Sequence, residues 1–156
     1  MKTTVRAALL DDVEPVAVGM RARDVEEVRA AVGLDPRAAL LHSLEGDGLF
    51  WTLSDEDGPY AIFGVSHVAL DVGSPWFLAT DRMYQHKKWF LRATPVFVRH
   101  MLDRYPILMN YVDARHADSI RWLRYGGFAF DKYISDFGFE RRPFIRFTQV
   151  RPCVSP

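Results

Sequence analysis

The apolar residues of the chain recur with two different periods, and the changes of period predict the order of the secondary-structure elements. Runs rich in β-branched and aromatic residues predict strands at 3–7, 49–53, 60–68, 74–80, 107–112, 129–134 and 143–150. Apolar residues at helical spacing predict three helices after the first strand, a long helix over about 83–104 and a short helix over 117–125. The predicted order is therefore β, three helices, a β-hairpin, β, α, β, α, β, β.

Polar residues and prolines mark where the predicted helices begin or bend. Asp11 or Asp12 is expected to cap the first helix. Asp24, with Glu27 three residues later, resembles a capping box that opens the second helix. Pro95 lies in the middle of the long helix, where the missing amide predicts a kink or a break.

The strand at 74–80, the long helix and the strand at 107–112 form a βαβ unit, so the two strands should be parallel. We expect their carboxyl ends to lie side by side. This pairing would bring Thr80, Asp81 and Arg82 close to Asp113, Arg115 and His116 at one end of the sheet. A strand end followed by a helix amino terminus is a common place for ligands.

Composition sets the outer limits of the prediction. With 156 residues, 49% of them hydrophobic, the chain is expected to fold as one domain over 1–150 with a short, frayed tail at 151–156. Twenty basic and twenty acidic residues cancel, which argues against general binding to nucleic acid or membrane surfaces. A single cysteine, Cys153, rules out an internal disulfide and favours the cytosol or a particle assembled there. No secretory signal or membrane-spanning run is present, so we expect a soluble protein.

Candidate chemistry is concentrated at the predicted sheet end. A general base would have to come from Asp81, Asp113 or His116, although such residues at strand-to-helix junctions commonly brace turns instead. The acidic residues 55–57 lack the spacing of a calcium loop and are expected to be solvated turn residues. The histidines are scattered without ligand spacing, so no metal site is predicted.

The run from His116 to Phe128, HADSIRWLRYGGF, resembles the pattern of the GNAT (Gcn5-related N-acetyltransferase) superfamily: an asparagine, a small residue, an apolar helix and a terminal Gly-Phe. The predicted element order matches this superfamily over nearly the whole chain. The chain more closely resembles internal virion, or core, proteins of podoviruses, which are tailed phages. That resemblance covers residues 5–147 and rests on the segments VRAALLDDV, WTLSDEDG, AIFGV, PWFLATD and NYVDARHADSIRWLRYGGF followed by PFIRF.

The GNAT resemblance implies an α+β fold in α/β/α-type layers, with a mixed, mostly antiparallel sheet and one parallel βαβ pair. It also implies where acetyl-CoA would bind, because GNAT enzymes splay two parallel strands apart and place the pantetheine arm between them. The corresponding wedge here lies between 77–80 and 107–112. If acetyl-CoA binds, the resemblance assigns cofactor contacts to Phe77, Leu78, Ala79, Thr80, Lys87, Lys88 and Ser119.

Three departures from the GNAT pattern bear on catalysis. The segment 82–90, where GNAT enzymes cradle the pyrophosphate on glycine-containing backbone, has no glycine. Leu123 occupies the position of the tyrosine that many GNAT enzymes use as general acid, and Tyr125 lies two residues away on a different helix face. His116 replaces the superfamily asparagine and could titrate near neutral pH or brace the junction.

Two interpretations follow from the sequence. The favoured one is a phage virion-associated protein on a GNAT-like scaffold that has lost acetyl-CoA chemistry. It would need no cofactor and would contact other virion proteins of the internal core, portal or tail junction, in virions assembled in the host cytoplasm. The alternative is an active acetyl-CoA-dependent N-acetyltransferase that modifies a host protein or a small amine, with Asp81 or His116 as base.

Overall fold

A computed structural model of the chain describes residues 2–153, and its centre is one seven-stranded sheet in the order β1-β2-β3-β4-β5-β7-β6. The neighbouring strands are antiparallel except for β4 and β5, which are parallel. The strands are β1 (Thr4–Ala7), β2 (Gly48–Asp55), β3 (Gly58–Ala69), β4 (Val72–Ala79), β5 (Ile107–Asp113), β6 (Ala129–Phe137) and β7 (Arg142–Val150). This confirms the predicted mixed, mostly antiparallel sheet with one parallel pair.

Five α-helices connect these strands in the predicted order. Two short 3₁₀ helices, Leu10–Asp12 and Asp81–His86, precede the first and the fourth of them. The helices are α1 (Val13–Val18), α2 (Ala22–Val32), α3 (Pro36–Leu44), α4 (Lys87–Arg104) and α5 (Ala117–Tyr125). Of the predicted tail at 151–156, residues 154–156 lie outside the described part of the chain.

The sheet has a separate hydrophobic cluster on each face, because successive strand residues point to opposite sides. Strand β3 shows this directly: Phe63 and Val65 belong to one cluster, whereas Ile62 belongs to the other. The first cluster includes residues of α4 and α5, among them Phe90, Val98, Met101, Leu102 and Leu123. The second cluster includes Val13, Val16 and Leu40 from α1 and α3. Helices on both faces give the predicted three layers.

Of the predicted kink or break at Pro95, the break does not occur, because helix α4 is continuous from Lys87 to Arg104. A proline in a helix leaves the carbonyl four residues earlier without its usual amide partner, and here that carbonyl belongs to Leu91. The Tyr125 hydroxyl of α5 donates to this carbonyl at 3.3 Å. Tertiary packing therefore supplies the hydrogen bond that Pro95 removes.

The predicted capping box of the second helix is wrong. Helix α2 begins at Ala22 with Arg21 as its N-cap residue, so Asp24 lies inside the first turn. The Asp24 carboxylate accepts hydrogen bonds from the Arg21 guanidinium at 2.9 Å and from the Ala79 amide at 3.0 Å. These tertiary partners replace the local cap, and Glu27 contacts His116 instead.

Candidate active-site cleft

Strands β4 and β5 separate soon after they meet. They pair only at Val72 with Ile107 and at Gly73 with Leu108. Further along β4, the Pro75 carbonyl accepts a hydrogen bond from the Asn110 side chain, with 2.7 Å between Nδ2 and O.

Pro75 gives the physical reason for this separation. The amide nitrogen and the carbonyl of a strand residue point to the same side, so the nitrogen of Pro75 also faces β5. A proline nitrogen has no hydrogen to donate, and the ladder cannot continue through it. The Asn110 side chain takes the place of the missing β5 backbone partner, and the two strands diverge beyond this point.

The divergence opens a cleft of about 930 Å³ between β4 and β5. Its walls come from the two strands and from α2, α4 and α5, and they are mostly apolar and aromatic. Representative lining residues are Phe77, Leu78, Phe90, Tyr111 and Trp122. A cleft of this size with a few polar groups is typical of cofactor and small-molecule sites.

The open edge of β4 presents backbone groups to the cleft. At Ala79 the amide and the carbonyl both face away from β3, since they bond to Asp24 and to the Arg21 amide at 3.0 and 2.8 Å. Pro75 faces the same way, and strand alternation therefore directs the amide and carbonyl of Phe77 into the cleft. An extended ligand with its own amide groups can pair with Phe77 as an added strand does.

Helix α2 crosses the wide end of the cleft and connects its two sides. Near its amino terminus Asp24 bonds to the end of β4, and one turn later Glu27 Oε2 lies 2.8 Å from His116 Nδ1. Arg23 donates to the Ser119 hydroxyl of α5 at 2.7 Å. The last turn of α2 is held by amides of the β6–β7 turn, where Phe139 and Glu140 donate to the carbonyls of Ala31 and Ala30.

The predicted meeting of Thr80, Asp81 and Arg82 with Asp113, Arg115 and His116 is wrong. Within residues 2–153 no hydrogen bond or ion pair joins the two sets, and Arg82 pairs with Asp55 instead. The strands diverge before they reach these residues, and α2 bonds to β4 on one side and to His116 on the other. Asp81 is exposed at the start of its 3₁₀ helix. Among residues 2–153, its side chain makes no hydrogen bond or ion pair in the structure.

Asp113 is fully buried and bound by Arg115. Burial alone would raise the pKa of the Asp113 carboxyl, but hydrogen bonds from the Arg115 guanidinium and amide outweigh it and hold the pKa below its usual value. Arg115 also forms an ion pair with Glu26. Glu26, Asp113 and His116 place their ligand atoms within 4.8 Å of one another, but the Arg115 guanidinium already forms ion pairs with both carboxylates.

The candidate base His116 does not itself line the cleft, but its partner Glu27 does. Hydrogen bonding of the ring to the Glu27 carboxylate raises the pKa of the imidazole, and burial raises the pKa of the Glu27 carboxyl. Because Glu27 Oε2 and His116 Nδ1 are in hydrogen-bond contact, the proton affinity of each group depends on the charge of the other. At the N-cap position of α5, the His116 side chain makes no capping hydrogen bond.

Of the remaining predicted cofactor contacts, Lys87 lines the cleft, whereas Lys88 and Thr80 are outside its lining. Lys87 and Lys88 are exposed on the first turn of α4, with Lys87 Nζ 5.1 Å from the centre of the Tyr84 ring. Thr80 is buried, and its hydroxyl has no hydrogen-bond partner within the described residues. Leu123 is buried in the core and has no proton to donate.

A buried network around Asp55 was not expected from the sequence, which placed this residue in a solvated turn. Its side chain is only 1% exposed; it forms an ion pair with Arg82 and accepts a hydrogen bond from His86 Nε2 at 2.9 Å. Burial alone would raise the pKa of Asp55, but hydrogen bonds from His86, the Asp57 amide and Arg82 outweigh it and lower the pKa. The network joins the β2–β3 turn to the 3₁₀ helix Asp81–His86, in which Arg82 is held by its ion pair with Asp55.

Within residues 2–153, every helix falls short of the length and apolar character that a membrane span requires. No family model and no curated protein matches the sequence. Solved structures do match the fold. The ribosomal-protein-S18-alanine N-acetyltransferase from Escherichia coli superposes with a TM-score of 0.69 at 16% identity, covering 99% of this chain and 97% of that chain.

Two further matching structures contain CoA or acetyl-CoA. An acetyltransferase from Bacillus subtilis in complex with CoA gives a TM-score of 0.66 at 10% identity, covering 96% of this chain and 97% of that one. A GNAT superfamily phosphinothricin acetyltransferase from Sinorhizobium meliloti in complex with acetyl-CoA gives 0.69 at 12% identity, with 97% and 89% covered. The chain therefore has the GNAT acetyltransferase fold.

Proposed function

We propose that this protein is an acetyl-CoA-dependent N-acetyltransferase whose cofactor binds in the cleft between β4 and β5. The observation that carries the proposal is the short β4–β5 pairing, which ends at Gly73 and Leu108 and leaves a cleft of about 930 Å³. The B. subtilis and S. meliloti structures of the same fold were obtained with CoA and acetyl-CoA.

The residues around the cleft fit the parts of this cofactor. The pantetheine arm is extended and carries two amides, which suit the Phe77 amide and carbonyl on the open edge of β4. Leu78 and Phe90 offer apolar walls for its methylene groups. The negative phosphates suit the amino terminus of α4, where Lys87 and Lys88 supply positive charge in place of a glycine-lined cradle.

Leu123 cannot act as a general acid, but the leaving group of the proposed reaction does not require one. Acetyl-CoA supplies an acetyl thioester, and a thiol has a pKa of about 8.5, so its thiolate leaves without prior protonation. Tyr125 is 58% exposed, and its hydroxyl donates to the Leu91 carbonyl. The reaction therefore requires a base for the amine more than an acid for the thiolate.

Calorimetry with acetyl-CoA tests the proposal. We expect micromolar binding to the wild-type protein. Reversing both cleft-edge charges, Lys87→Glu with Lys88→Glu, should weaken binding of acetyl-CoA at least tenfold but leave binding of pantetheine, which lacks the nucleotide phosphates, unchanged. Lys132→Glu, at an exposed position on β6, is the matched charge control. A folded wild-type protein that shows no binding heat at millimolar acetyl-CoA would contradict the proposal.

A second candidate is a virion-associated protein that contacts core, portal or tail-junction proteins of a podovirus. The sequence resemblance described above motivates it, together with the glycine-free segment 82–90 and the buried Leu123. Mass spectrometry of purified particles should then find the chain at a fixed copy number, and its absence from particles would rule this candidate out. In this case acetyl-CoA should fail to bind, so calorimetry separates the two candidates.

A further inference from the structure

Three carboxylates line the cleft, and Glu27 differs from the other two. Asp24 is bound by Arg21 and by the Ala79 amide. Asp118 is paired with Arg121 at 2.8 Å. Glu27 has no arginine partner among the described residues; its one partner is His116, which bonds to Oε2.

The geometry of the pair directs the carboxylate toward the cleft and the imidazole away from it. Glu27 lines the cleft with its side chain 29% exposed, whereas the His116 side chain is 10% exposed behind it. Oε1 of Glu27 makes no hydrogen bond to the residues that the structure describes. One carboxylate oxygen is therefore free to meet a ligand while the other is fixed by His116.

The charge around Glu27 favours a cation in the cleft. Unlike an arginine, the His116 imidazole can lose its charge, at a pH above the usual pKa of histidine because Glu27 raises that pKa, and the Glu27 carboxylate is then uncompensated. Tyr84 and Tyr111 line the same cleft, and aromatic faces also attract cations. The charged groups that face the pair are Arg23 and Asp24 from α2 and Asp113 from the end of β5, with Glu26 and Arg115 paired beside them.

We infer that Glu27 is the catalytic base for an acceptor with a protonated primary amine, and that His116 is its positioning residue. This inference rests on the proposed acetyltransferase function and names its substrate class. Burial raises the pKa of the Glu27 carboxyl, which brings its basicity closer to that needed at neutral pH. The sequence-based candidate His116 acts here through Glu27.

The step balances without any further reagent. The ammonium group gives one proton to Glu27, and the neutral amine attacks the thioester carbonyl carbon. A C–N bond forms, the C–S bond breaks, and CoA leaves as the thiolate. The second proton of the amine is lost from the tetrahedral intermediate and neutralises the thiolate, and Glu27 returns its proton to solvent.

The test compares Glu27→Gln with Glu56→Gln, a matched change at an exposed position of the β2–β3 turn. It uses acetyl-CoA and two probes: 1,4-diaminobutane and a peptide with a free amino terminus. Thiol release measures turnover, and calorimetry measures cofactor binding. We expect Glu27→Gln to lower kcat/KM at least about 100-fold, the lower range for loss of a general base. Its affinity for acetyl-CoA should stay within twofold of wild type, and Glu56→Gln should keep wild-type turnover.

His116→Gln tests the positioning role through the pH profile. We expect the acid limb of the kcat profile to move relative to wild type, because the carboxylate loses a titrating partner. Nuclear magnetic resonance should show the pKa of His116 falling in Glu27→Gln.

Three results would overturn the inference: full turnover by Glu27→Gln, an unmoved acid limb in His116→Gln, or no acetylation of either amine while acetyl-CoA binds. Failure of the proposed function itself is distinct, because wild-type protein would then not bind acetyl-CoA at all.

Discussion

Strand β4 has two edges that behave in opposite ways. Toward β3 it pairs from Val72 to Ala79, and residues of both strands belong to the two hydrophobic clusters. Toward β5 it pairs at only two positions, and the remaining edge faces the cleft. The same backbone therefore stabilises the fold on one side and offers hydrogen-bonding groups to a ligand on the other.

We expect the largest effect on stability from a substitution on the side of β4 that pairs with β3. Asp55 joins the β2–β3 turn to Arg82 and His86, and its side chain is 1% exposed. Breaking a buried ion pair leaves uncompensated charge, so Asp55→Ala should lower the free energy of unfolding by about 3–5 kcal/mol. Urea denaturation measures this, with Asp118→Ala, in an exposed pair, as the control that should change by under about 1 kcal/mol.

The pH dependence of the Asp55 effect follows from its lowered pKa. A carboxyl whose pKa is lower in the folded protein stabilises it above the unfolded pKa of about 3.9, and this contribution disappears as the pH falls through the folded value. The stability difference between wild type and Asp55→Ala should therefore shrink in acid. A difference that grew as the pH fell would contradict the assigned hydrogen bonds.

The edge of β4 that faces β5 can be tested by restoring the amide N–H that Pro75 lacks. Pro75→Val adds a donor that faces β5, so the two strands can pair further and narrow the cleft. We expect affinity for acetyl-CoA to fall about tenfold, or about 1.4 kcal/mol, with the free energy of unfolding unchanged or higher. Calorimetry and urea denaturation together distinguish this from simple destabilisation.

Asn110→Ala sharpens the same comparison, since it removes the side chain that holds the Pro75 carbonyl. Its affinity for acetyl-CoA should also fall, but its stability should fall with it, by about 1 kcal/mol for one lost hydrogen bond. Equal affinities for wild type and both variants would show that the cleft does not depend on Pro75 and Asn110.

The Glu27–His116 pair should contribute a smaller, pH-dependent stability. A histidine whose pKa is raised by folding stabilises the protein fully below about pH 6.5, and the contribution is lost as the pH rises through the folded value. His116→Gln should therefore cost about 1 kcal/mol at pH 5.5 and less at pH 9, measured by urea denaturation. In a Glu27→Gln background this pH dependence should be absent.

The smallest expected effect tests the tolerance of α4 for proline. Tyr125→Phe removes the donor to the Leu91 carbonyl at an exposed position, at a cost of about 0.5 kcal/mol. With Pro95→Ala the helix itself supplies the amide, and Tyr125→Phe should then be neutral. A double-mutant cycle in thermal denaturation measures the coupling, and additive effects would contradict it.

The sequence by itself determined the order of the elements, because that order depends on local periodicity and on turn residues, and the resemblance to the GNAT pattern predicted the mixed sheet. Gly33, with φ +72°, ends α2 in the left-handed conformation as its position predicts. Even the opening of the cleft had a local signal, since Pro75 lies inside a predicted strand and cannot complete a ladder. The prediction that the carboxyl ends of β4 and β5 lie side by side did not take Pro75 into account.

Tertiary structure alone decided which polar side chains meet. Glu27 and His116 are 89 positions apart, and only the placement of α2 across the separated strands brings them together. The sequence around Asp55 is typical of a solvated turn, yet Arg82 and His86 pair with its carboxylate in the folded protein. Local patterns fix which element a residue occupies, whereas the partner of a charged side chain depends on how distant elements pack, and that packing determines the chemistry of the cleft.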